Sequence, residues 1–355
     1  MLGSDRLWRL CTMPPTRMKS LTWTALTDLP DALGESPFWH PEEHRVYWVD
    51  IPGRALRRAH VLTGVQERWA LPSEPGCVAP WRAGGLVLAL REGLFLARDW
   101  GGALEPLVPA PYDPTTTRFN DGRADAEGRL WLGTIYEPRD KAEAALYRFD
   151  PAAASGPTSS LASQAGGRLT RMAGGATTGN GLAFSPDGRT LYWSDTPGHV
   201  IRAWDRDPAT GAIAAPREFR RFPPKPAGWT ASGDPAQDAA SYGGRPDGAA
   251  VDAEGHYWVA LFEGGRLLRL APDGTVAGDW PLPVRCPTMP CFGGEDLRTL
   301  YLTTGRQGRS AAELAACPLS GHVLWARVDV PGLPTQFVRD PGTSGAASGG
   351  PGEAA

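Results

Sequence analysis

The sequence predicts an all-β fold, a six-bladed β-propeller, and three observations support this. One phrase occurs six times: a short apolar run, then a turn with an acid or glycine, then a strand ending in aromatic residues. Most copies recur at intervals of roughly 40–45 residues, which is typical of four-stranded propeller blades. Helical periodicity is nearly absent, so we expect antiparallel strands joined by Asp-Gly and Glu-Gly hairpin turns.

The copies follow one another along the chain with two longer gaps. Four clear copies and two weaker ones occupy residues 36–48, 122–131, 181–193 and 248–258, and residues 84–90 and 292–301. Residues 151–178 are rich in Ala, Ser, Gly and Thr, and we expect an exposed insertion there. Residues 223–244 are rich in Pro, Gly and Ala and are predicted to form a second loop.

The two ends of the chain lack the repeated phrase. Residues 1–24 are expected to form a loose N-terminal extension. Residues 340–355 consist almost wholly of Gly, Ala, Ser, Pro and Glu, a composition typical of a disordered tail. One propeller domain is therefore predicted at residues 25–339.

The composition disfavours several classes of function. With 41% hydrophobic and 21% charged residues, a net charge of −3 and a pI near 6.1, the chain has no basic footprint for nucleic acid. No apolar stretch is long enough to span a membrane, and residues 1–20 lack the apolar core of a secretory signal. We therefore expect a cytoplasmic protein that binds neither nucleic acid nor membrane.

The cysteines show no motif that carries chemistry. They are odd in number and unevenly spaced, at Cys11, Cys77, Cys286, Cys291 and Cys317. No Cys-x-x-Cys pair indicates a zinc site or a disulfide framework. We expect free and mostly buried thiols.

Asparagine occurs only at Asn120 and Asn180, each close to a glycine. Lys and Ile are also rare, so the composition indicates a drift that replaced Asn wherever the fold permitted it. Two explanations for the survivors are open. Asn tolerates the left-handed backbone of turns, although the nearby glycine already supplies that freedom. The alternative is a functional site that needs the amide oxygen.

Polar residues stand at the start of the first strand in four copies of the phrase. They are Glu35, the pair Asn120-Asp121, Asn180 and Asp247. Because the first strand of each propeller blade lies beside the central channel, these starts are expected to converge at one end of it. Carboxylate and amide oxygens suit a hard divalent cation, so a central metal site is predicted, with simple turn geometry as the alternative.

Five stretches of the chain resemble one known family. They are Leu33-Gly34-Glu35-Ser36-Pro37, Arg118-Phe119-Asn120-Asp121-Gly122, Gly179-Asn180-Gly181-Leu182-Ala183-Phe184-Ser185, Arg245-Pro246-Asp247-Gly248, and Phe292-Gly293-Gly294-Glu295-Asp296-Leu297. In this order, over roughly residues 28–330, they resemble the SMP-30/gluconolactonase/luciferin-regenerating (regucalcin-like) family. The resemblance implies a six-bladed propeller with one divalent cation in its channel.

The resemblance also implies roles for individual residues. Glu35, Asn180 and Asp247 match the family's metal ligands, Arg118 and Asn120 match its substrate-binding pair, and Glu137 lies near a further substrate position. Asp247 is then the expected general base of a metal-dependent lactonase, because a carboxylate beside the metal can take a proton from water. The ion is left open among Ca, Zn, Mg, Mn and Fe(II).

The implied partner is a small sugar lactone such as gluconolactone, xylonolactone or arabinolactone, turned over by a monomer or weak homo-oligomer. A fold alone does not fix a function, however. A propeller that binds ligands or handles calcium without lactonase turnover is therefore the alternative.

Overall fold

The computed structural model describes residues 20–151 and 166–341, and it confirms the all-β, six-bladed propeller. The described residues form six antiparallel sheets of four strands each. The first strand of every blade contacts the first strands of both neighbouring blades, which closes a ring around a central channel. This ring places residues that are far apart in sequence on one channel wall.

The strands follow the chain from β1 to β24, and within each blade they run from the channel outwards. The first described strand is β1 (Thr24–Ala25). Blade one contains β2 (Gly34–His40), β3 (Arg45–Asp50), β4 (Ala55–His60) and β5 (Gln66–Ala70). Blade two contains β6 (Pro75–Pro80), β7 (Leu86–Leu90), β8 (Gly93–Ala97) and β9 (Leu104–Pro109). Blade three contains β10 (Thr117–Ala124), β11 (Leu130–Tyr136), β12 (Ala144–Pro151) and β13 (Gly167–Ala176).

The second half of the chain repeats this arrangement. Blade four contains β14 (Gly179–Phe184), β15 (Thr190–Asp195), β16 (Val200–Arg206) and β17 (Ile213–Arg221). Blade five contains β18 (Arg245–Val251), β19 (Tyr257–Phe262), β20 (Arg266–Leu270) and β21 (Val276–Pro281). Blade six contains β22 (Pro287–Gly293), β23 (Thr299–Thr304), β24 (Leu324–Arg327) and, as its outermost strand, β1.

The N-terminal strand completes the sixth blade. Thr24 pairs with Trp325 and Ala25 with Leu324, and the side chains of Leu21 and Trp23 pack against the core of this blade. This pairing joins the N-terminal strand to the last strand of the chain and covers the outer edge of β24. The expected extension over residues 1–24 is therefore wrong for residues 21–24, while its residues 1–19 lie outside the described part of the chain.

The expected insertion at residues 151–178 is also corrected. Residues 167–176 form β13, the outermost strand of blade three, paired along its length with β12. Most of its side chains are exposed or only half-buried, so this strand lacks the apolar alternation that marks a half-buried strand. Residues 152–165 of the expected insertion lie outside the described residues.

Helices are few in the described residues, as the sequence predicts. Inside the predicted loop at residues 223–244 lies α1 (Pro235–Ser241), and α2 (Ala311–Ala316) follows blade six's second strand. Neither helix is long and apolar enough to cross a membrane. The loop at residues 223–244 carries no strand, which confirms that prediction.

Asp-x-x-Gly turns connect the first two strands of blades three and five in the same way. One oxygen of Asp125 accepts backbone amides of the turn, and the other accepts Trp131 Nε1 at 2.8 Å. Asp252 repeats this with the backbone amides of its own turn and with Trp258 Nε1 at 2.8 Å. The aromatic residue that ends the repeated phrase is thus tied to the acid that begins its turn.

The C-terminal segment lies along the end of the channel where the inner strands finish. Gly332 bridges Asp252, the Thr335 hydroxyl donates to the Trp39 carbonyl at 2.7 Å, and Val338 bridges Trp81. These partners belong to blades five, one and two. The opposite end of the channel, where the inner strands begin, is the mouth. The described residues include only 340 and 341 of the expected tail.

Cysteine chemistry plays no part in this framework. Cys77, Cys286, Cys291 and Cys317 are free and buried, as predicted. Cys11 lies outside the described residues.

Candidate active site at the channel mouth

Each inner strand loses its regular pairing at one equivalent point, near the mouth. The breaks in register lie between residues 35 and 38, 75 and 77, 119 and 122, 180 and 183, 246 and 249, and 287 and 290. A β-bulge bends the strand and redirects its side chains. Glu35, Asn120, Asn180 and Asp247 all lie at these breaks, which places them at one level of the channel.

The two remaining blades carry Gly76 and Thr288 at this level. A Cβ atom on Gly76 would lie 2.4 Å from the backbone of Phe119, so only glycine permits this approach. The hydroxyl of Thr288 is buried, 2.6 Å from the Gly34 carbonyl oxygen and 2.8 Å from the Thr303 hydroxyl. The sequence analysis did not identify Thr288, because it belongs to one of the weaker repeats.

Four of the predicted site residues form one continuous hydrogen-bonded chain across three blades. Arg118 Nη1 donates to Asn120 Oδ1 at 2.9 Å, and Asn120 Nδ2 donates to Asn180 Oδ1 at 2.5 Å. Asn180 Nδ2 then donates to Asp247 Oδ1 at 2.6 Å. Each asparagine accepts one hydrogen bond through its amide oxygen and donates the next through its amide nitrogen, so both residues extend the chain.

The turn explanation for the two asparagines does not hold. Neither Asn120 nor Asn180 has a positive φ, and both lie within inner strands. The left-handed backbone in this region belongs to Gly181, with a φ of 60°. A Cβ atom there would lie 2.1 Å from Ser194 Oγ.

Glu137 lies beside Arg118 at the rim of the mouth. Its Oε1 is 3.3 Å from Arg118 Nε, and Arg91 donates to both of its oxygens at 2.9 and 3.1 Å. Burial opposes ionisation of Glu137, but hydrogen bonds from Arg91 and the charge of Arg118 hold its pKa below the ordinary value. The structure therefore brings the three predicted substrate-binding residues, Arg118, Asn120 and Glu137, together.

Buried carboxylates converge on the channel next to this chain. Burial, then the charges of Asp247 and Asp121, raise the pKa of Glu35 well above its ordinary value. Burial likewise raises the pKa of Asp247, which Arg245 only partly offsets. These carboxyl groups are therefore buried close enough together for the charge of one to raise the pKa of another.

Asp121 is a site residue that the sequence analysis left without a role. Its Oδ2 accepts the backbone amide of Leu182 at 2.8 Å, and its buried Oδ1 has no hydrogen-bond partner among the described residues. Burial raises the pKa of Asp121 as well. Its sequence position beside Asn120 was the only available signal.

These donors fit a hard divalent cation. Glu35, Asn180 and Asp247 supply carboxylate and amide oxygens, and the buried Oδ1 of Asp121, which has no hydrogen-bond partner among the described residues, lies nearby. Within residues 20–151 and 166–341, no three Asp, Glu, His or Cys side chains form a ligand group by themselves. The predicted set contains two carboxylates, Glu35 and Asp247, and its third oxygen donor is the amide of Asn180.

The protein is a six-bladed propeller whose last blade is closed by the N-terminal strand. Its channel carries carboxylate, amide and guanidinium groups at the mouth, which form an oxygen-rich site. Its family follows from the sequence: residues 33–306 match the SMP-30/Gluconolactonase/LRE-like region. The chain belongs to that family, which confirms the resemblance seen in its motifs.

Named relatives cover most of the chain. A 6-deoxy-6-sulfogluconolactonase of Pseudomonas putida is 44% identical over 305 residues, 85% of this chain and 94% of the relative. The pentonolactonase XacC of Haloferax volcanii is 32% identical over 299 residues, 82% of this chain and 88% of the relative. Among solved structures, a calcium-binding protein, regucalcin, from Agrobacterium tumefaciens superimposes with a TM-score of 0.77 at 26% identity, over 90% of this chain and 98% of its own.

Proposed function

We propose that this protein is a hydrolase that opens aldonolactones with the help of one divalent cation. The hydrogen-bonded chain from Arg118 through Asn120 and Asn180 to Asp247 is the observation that carries the proposal. It links a group that binds oxygen-rich substrates to a buried carboxylate that accepts protons. The relatives named as lactonases support the same reaction class.

Glu35, Asn180 and Asp247 would hold the cation. When bound, a divalent ion polarises the lactone carbonyl and stabilises negative charge on its oxygen. Its identity is open among Ca, Zn, Mg, Mn and Fe(II), because oxygen donors serve several of these ions.

Arg118 and Asn120 position the substrate. Glu137 and Asn120 fix the guanidinium of Arg118 from two sides, at 3.3 and 2.9 Å, so it loses little freedom when it binds. A held guanidinium donates to hydroxyl or carbonyl oxygens without reorganising. Glu137, with part of its side chain exposed at the rim, accepts from substrate hydroxyls.

Asp247 serves as the general base. Its Oδ1 accepts Asn180 Nδ2 at 2.6 Å, which orients the carboxylate and assigns water activation to Oδ2. A carboxylate held in this orientation can take a proton from water. Water that loses a proton to Oδ2 attacks the acyl carbon, the bond from that carbon to the ring oxygen breaks, and the ring oxygen leaves as a hydroxyl by taking up the proton held on Asp247.

The test is turnover of a lactone panel with and without chelator, corrected for spontaneous ring opening. The panel contains gluconolactone, xylonolactone, arabinolactone and 6-deoxy-6-sulfogluconolactone. Hydrolysis that chelation abolishes and one added cation restores is the expected result. Stoichiometric calcium binding without turnover of any lactone would instead favour a calcium-handling propeller, in line with the calcium-binding regucalcin from Agrobacterium tumefaciens.

A further inference from the structure

Arg245 in blade five occupies a position equivalent to that of Arg118 in blade three. Arg118 lies two residues before Asn120 and pairs with Glu137, which directly follows the second strand of its blade. Arg245 lies two residues before Asp247, and its Nη2 is 3.3 Å from Glu263, which directly follows β19. The repeat therefore presents one arginine–glutamate pair in blade three and another in blade five.

The two pairs differ in the charge around them. Glu137 faces Arg118 and Arg91, and Glu74 binds Arg91 at 3.0 Å and Arg54 at 3.2 Å, so three arginines face two carboxylates and the excess is one positive charge.

Around Glu263, by contrast, three cations share one carboxylate. Lys225 Nζ is 3.1 Å from both of its oxygens, Arg309 Nη1 is 3.3 Å from Oε1, and Arg245 completes the set. We call this group the Glu263 cluster; it consists of Lys225, Arg245, Glu263 and Arg309. Its three cations and one carboxylate leave an excess of two positive charges. Burial opposes ionisation of Glu263, but Arg245 and Lys225 hold its pKa below the ordinary value.

The strand directions place the Glu263 cluster at the mouth. Arg245 begins an inner strand, and Glu263 follows a strand that returns to the same end. Lys225 lies in the loop that leads into β18, and Arg309 follows β23, which also returns to the mouth.

Donor groups in and beside the cluster have bonding capacity left. Arg245 Nε is buried without a hydrogen-bond partner among the described residues. Arg285 donates Nε and Nη2 to Glu313 at 2.8 and 2.9 Å, while its buried Nη1, 3.8 Å from Glu263, has no hydrogen-bond partner in the described structure. The side chains of Lys225, Arg245 and Arg309 are 33, 23 and 17% exposed, so a ligand can reach them.

We propose that the Glu263 cluster is a subsite for a tetrahedral oxyanion, a sulfonate or a phosphate monoester, carried at the end of the lactone away from the ring carbonyl. The inference rests on the proposed lactonase function and defines its substrate class. An excess of two charges with guanidinium and ammonium donors suits such a group, which spreads its negative charge over three oxygens. A neutral sugar would leave this excess charge uncompensated.

The double variant Lys225→Met/Arg309→Met tests the subsite, since both side chains reach solvent and neither lies in a β-strand. The specificity constant kcat/KM is measured on the unmodified protein and on the double variant for 6-deoxy-6-sulfogluconolactone, 6-phosphogluconolactone and neutral gluconolactone. We expect the anionic lactones to lose about tenfold or more relative to the neutral one, the effect of losing a charge-assisted hydrogen bond. The two anionic lactones distinguish a sulfonate site from a phosphate site.

Arg221→Met is the matched control, because Arg221 ends β17 near Lys225 but pairs with Glu218 on the surface. It removes one positive charge outside the cluster and should leave the anionic-to-neutral ratio as in the unmodified protein. An equal loss for all three lactones in the double variant, or a shift of the ratio by Arg221→Met of similar size, would overturn the proposal.

A binding measurement separates this inference from the lactonase proposal. Calorimetry compares 6-phosphogluconate with gluconate, the ring-opened compounds, on the unmodified protein and on the double variant. Tighter binding of 6-phosphogluconate that the double variant abolishes supports the subsite even if no lactone is turned over. Equal affinity for the two compounds rejects the subsite even if gluconolactone is hydrolysed.

Discussion

Asn120 donates its side-chain amide to Asn180 Oδ1 at 2.5 Å, so the two asparagines of this chain are hydrogen-bonded to each other. The bond crosses from blade three to blade four and continues to Asp247 through Asn180 Nδ2. A carboxylate in either position could accept but not donate, and the chain of bonds would be interrupted. This explains why the amides persist in a composition that otherwise lacks asparagine.

Asn180→Asp should therefore separate cation binding from catalysis. In the presence of a cation, the extra carboxylate should keep or tighten binding, but lower turnover because added negative charge weakens polarisation of the substrate. When a chelator has removed the cation, the new carboxylate faces Asp247 and has no amide hydrogen to donate to it. This should destabilise the fold by about 1–3 kcal/mol. Metal content, steady-state kinetics and thermal unfolding give the three readouts, and a variant unchanged in all of them would contradict this role.

Glu35→Gln should remove metal-dependent turnover while the propeller stays folded. The variant keeps the shape of the side chain but loses the charge that the cation needs. Circular dichroism and metal content, measured on the same sample, check both statements. Full activity of a metal-free Glu35→Gln protein would show that the ligand set is drawn wrongly.

The pH dependence of stability provides a separate test of Glu35. Because its pKa in the folded protein is raised above the ordinary 4.5, ionisation costs stability as the pH rises from about 4.5 through the folded pKa. In chelator, Glu35→Gln should become more stable than the unmodified protein across that range, by about 1 kcal/mol or more. Denaturant titrations at several pH values measure this, and a saturating cation should reverse the order.

Arg118→Ala should weaken turnover but leave the cation in place. A guanidinium donates hydrogen bonds and cannot ligate a cation, so kcat/KM should fall about 10- to 100-fold at unchanged metal stoichiometry. Arg98→Ala is the control, because Arg98 pairs with Glu105 at an exposed position away from the mouth. Loss of the metal in Arg118→Ala would contradict the assignment.

Asp252→Asn should destabilise blade five without a direct effect on the site. Asp252 accepts Trp258 Nε1, Arg269 Nε and two backbone amides, and an amide group cannot replace its second acceptor oxygen. We expect a loss of about 1–3 kcal/mol in denaturant unfolding. Asp273→Asn is the matched control, since Asp273 occupies an exposed turn and, in the described part of the chain, accepts side-chain hydrogen bonds from Thr275 alone. Equal stability of the two variants would show that the buried turn contributes little.

The sequence by itself determined the number of blades and the level of the site. Short aromatic strands and Asp-Gly turns are local signals, and their repetition specifies a closed ring. Once the ring is known, Glu35, Asn120, Asn180 and Asp247 must lie at one end of the channel. The family motifs supplied Arg118 and Glu137, for which no repeat pattern was noticed.

Tertiary structure alone decided which of these groups bond to each other. The bond between Asn120 and Asn180 joins residues 60 positions apart, and its direction depends on how a bulge in each inner strand turns the side chain. The orphaned oxygen of Asp121 and the excess charge around Glu263 likewise depend on neighbours from other blades. β13 escaped prediction because an exposed outer strand needs no apolar alternation, and β1 because a two-residue strand carries no periodicity. Local patterns encode strands and turns, whereas the chemistry of the mouth arises from contacts that form only when the ring closes.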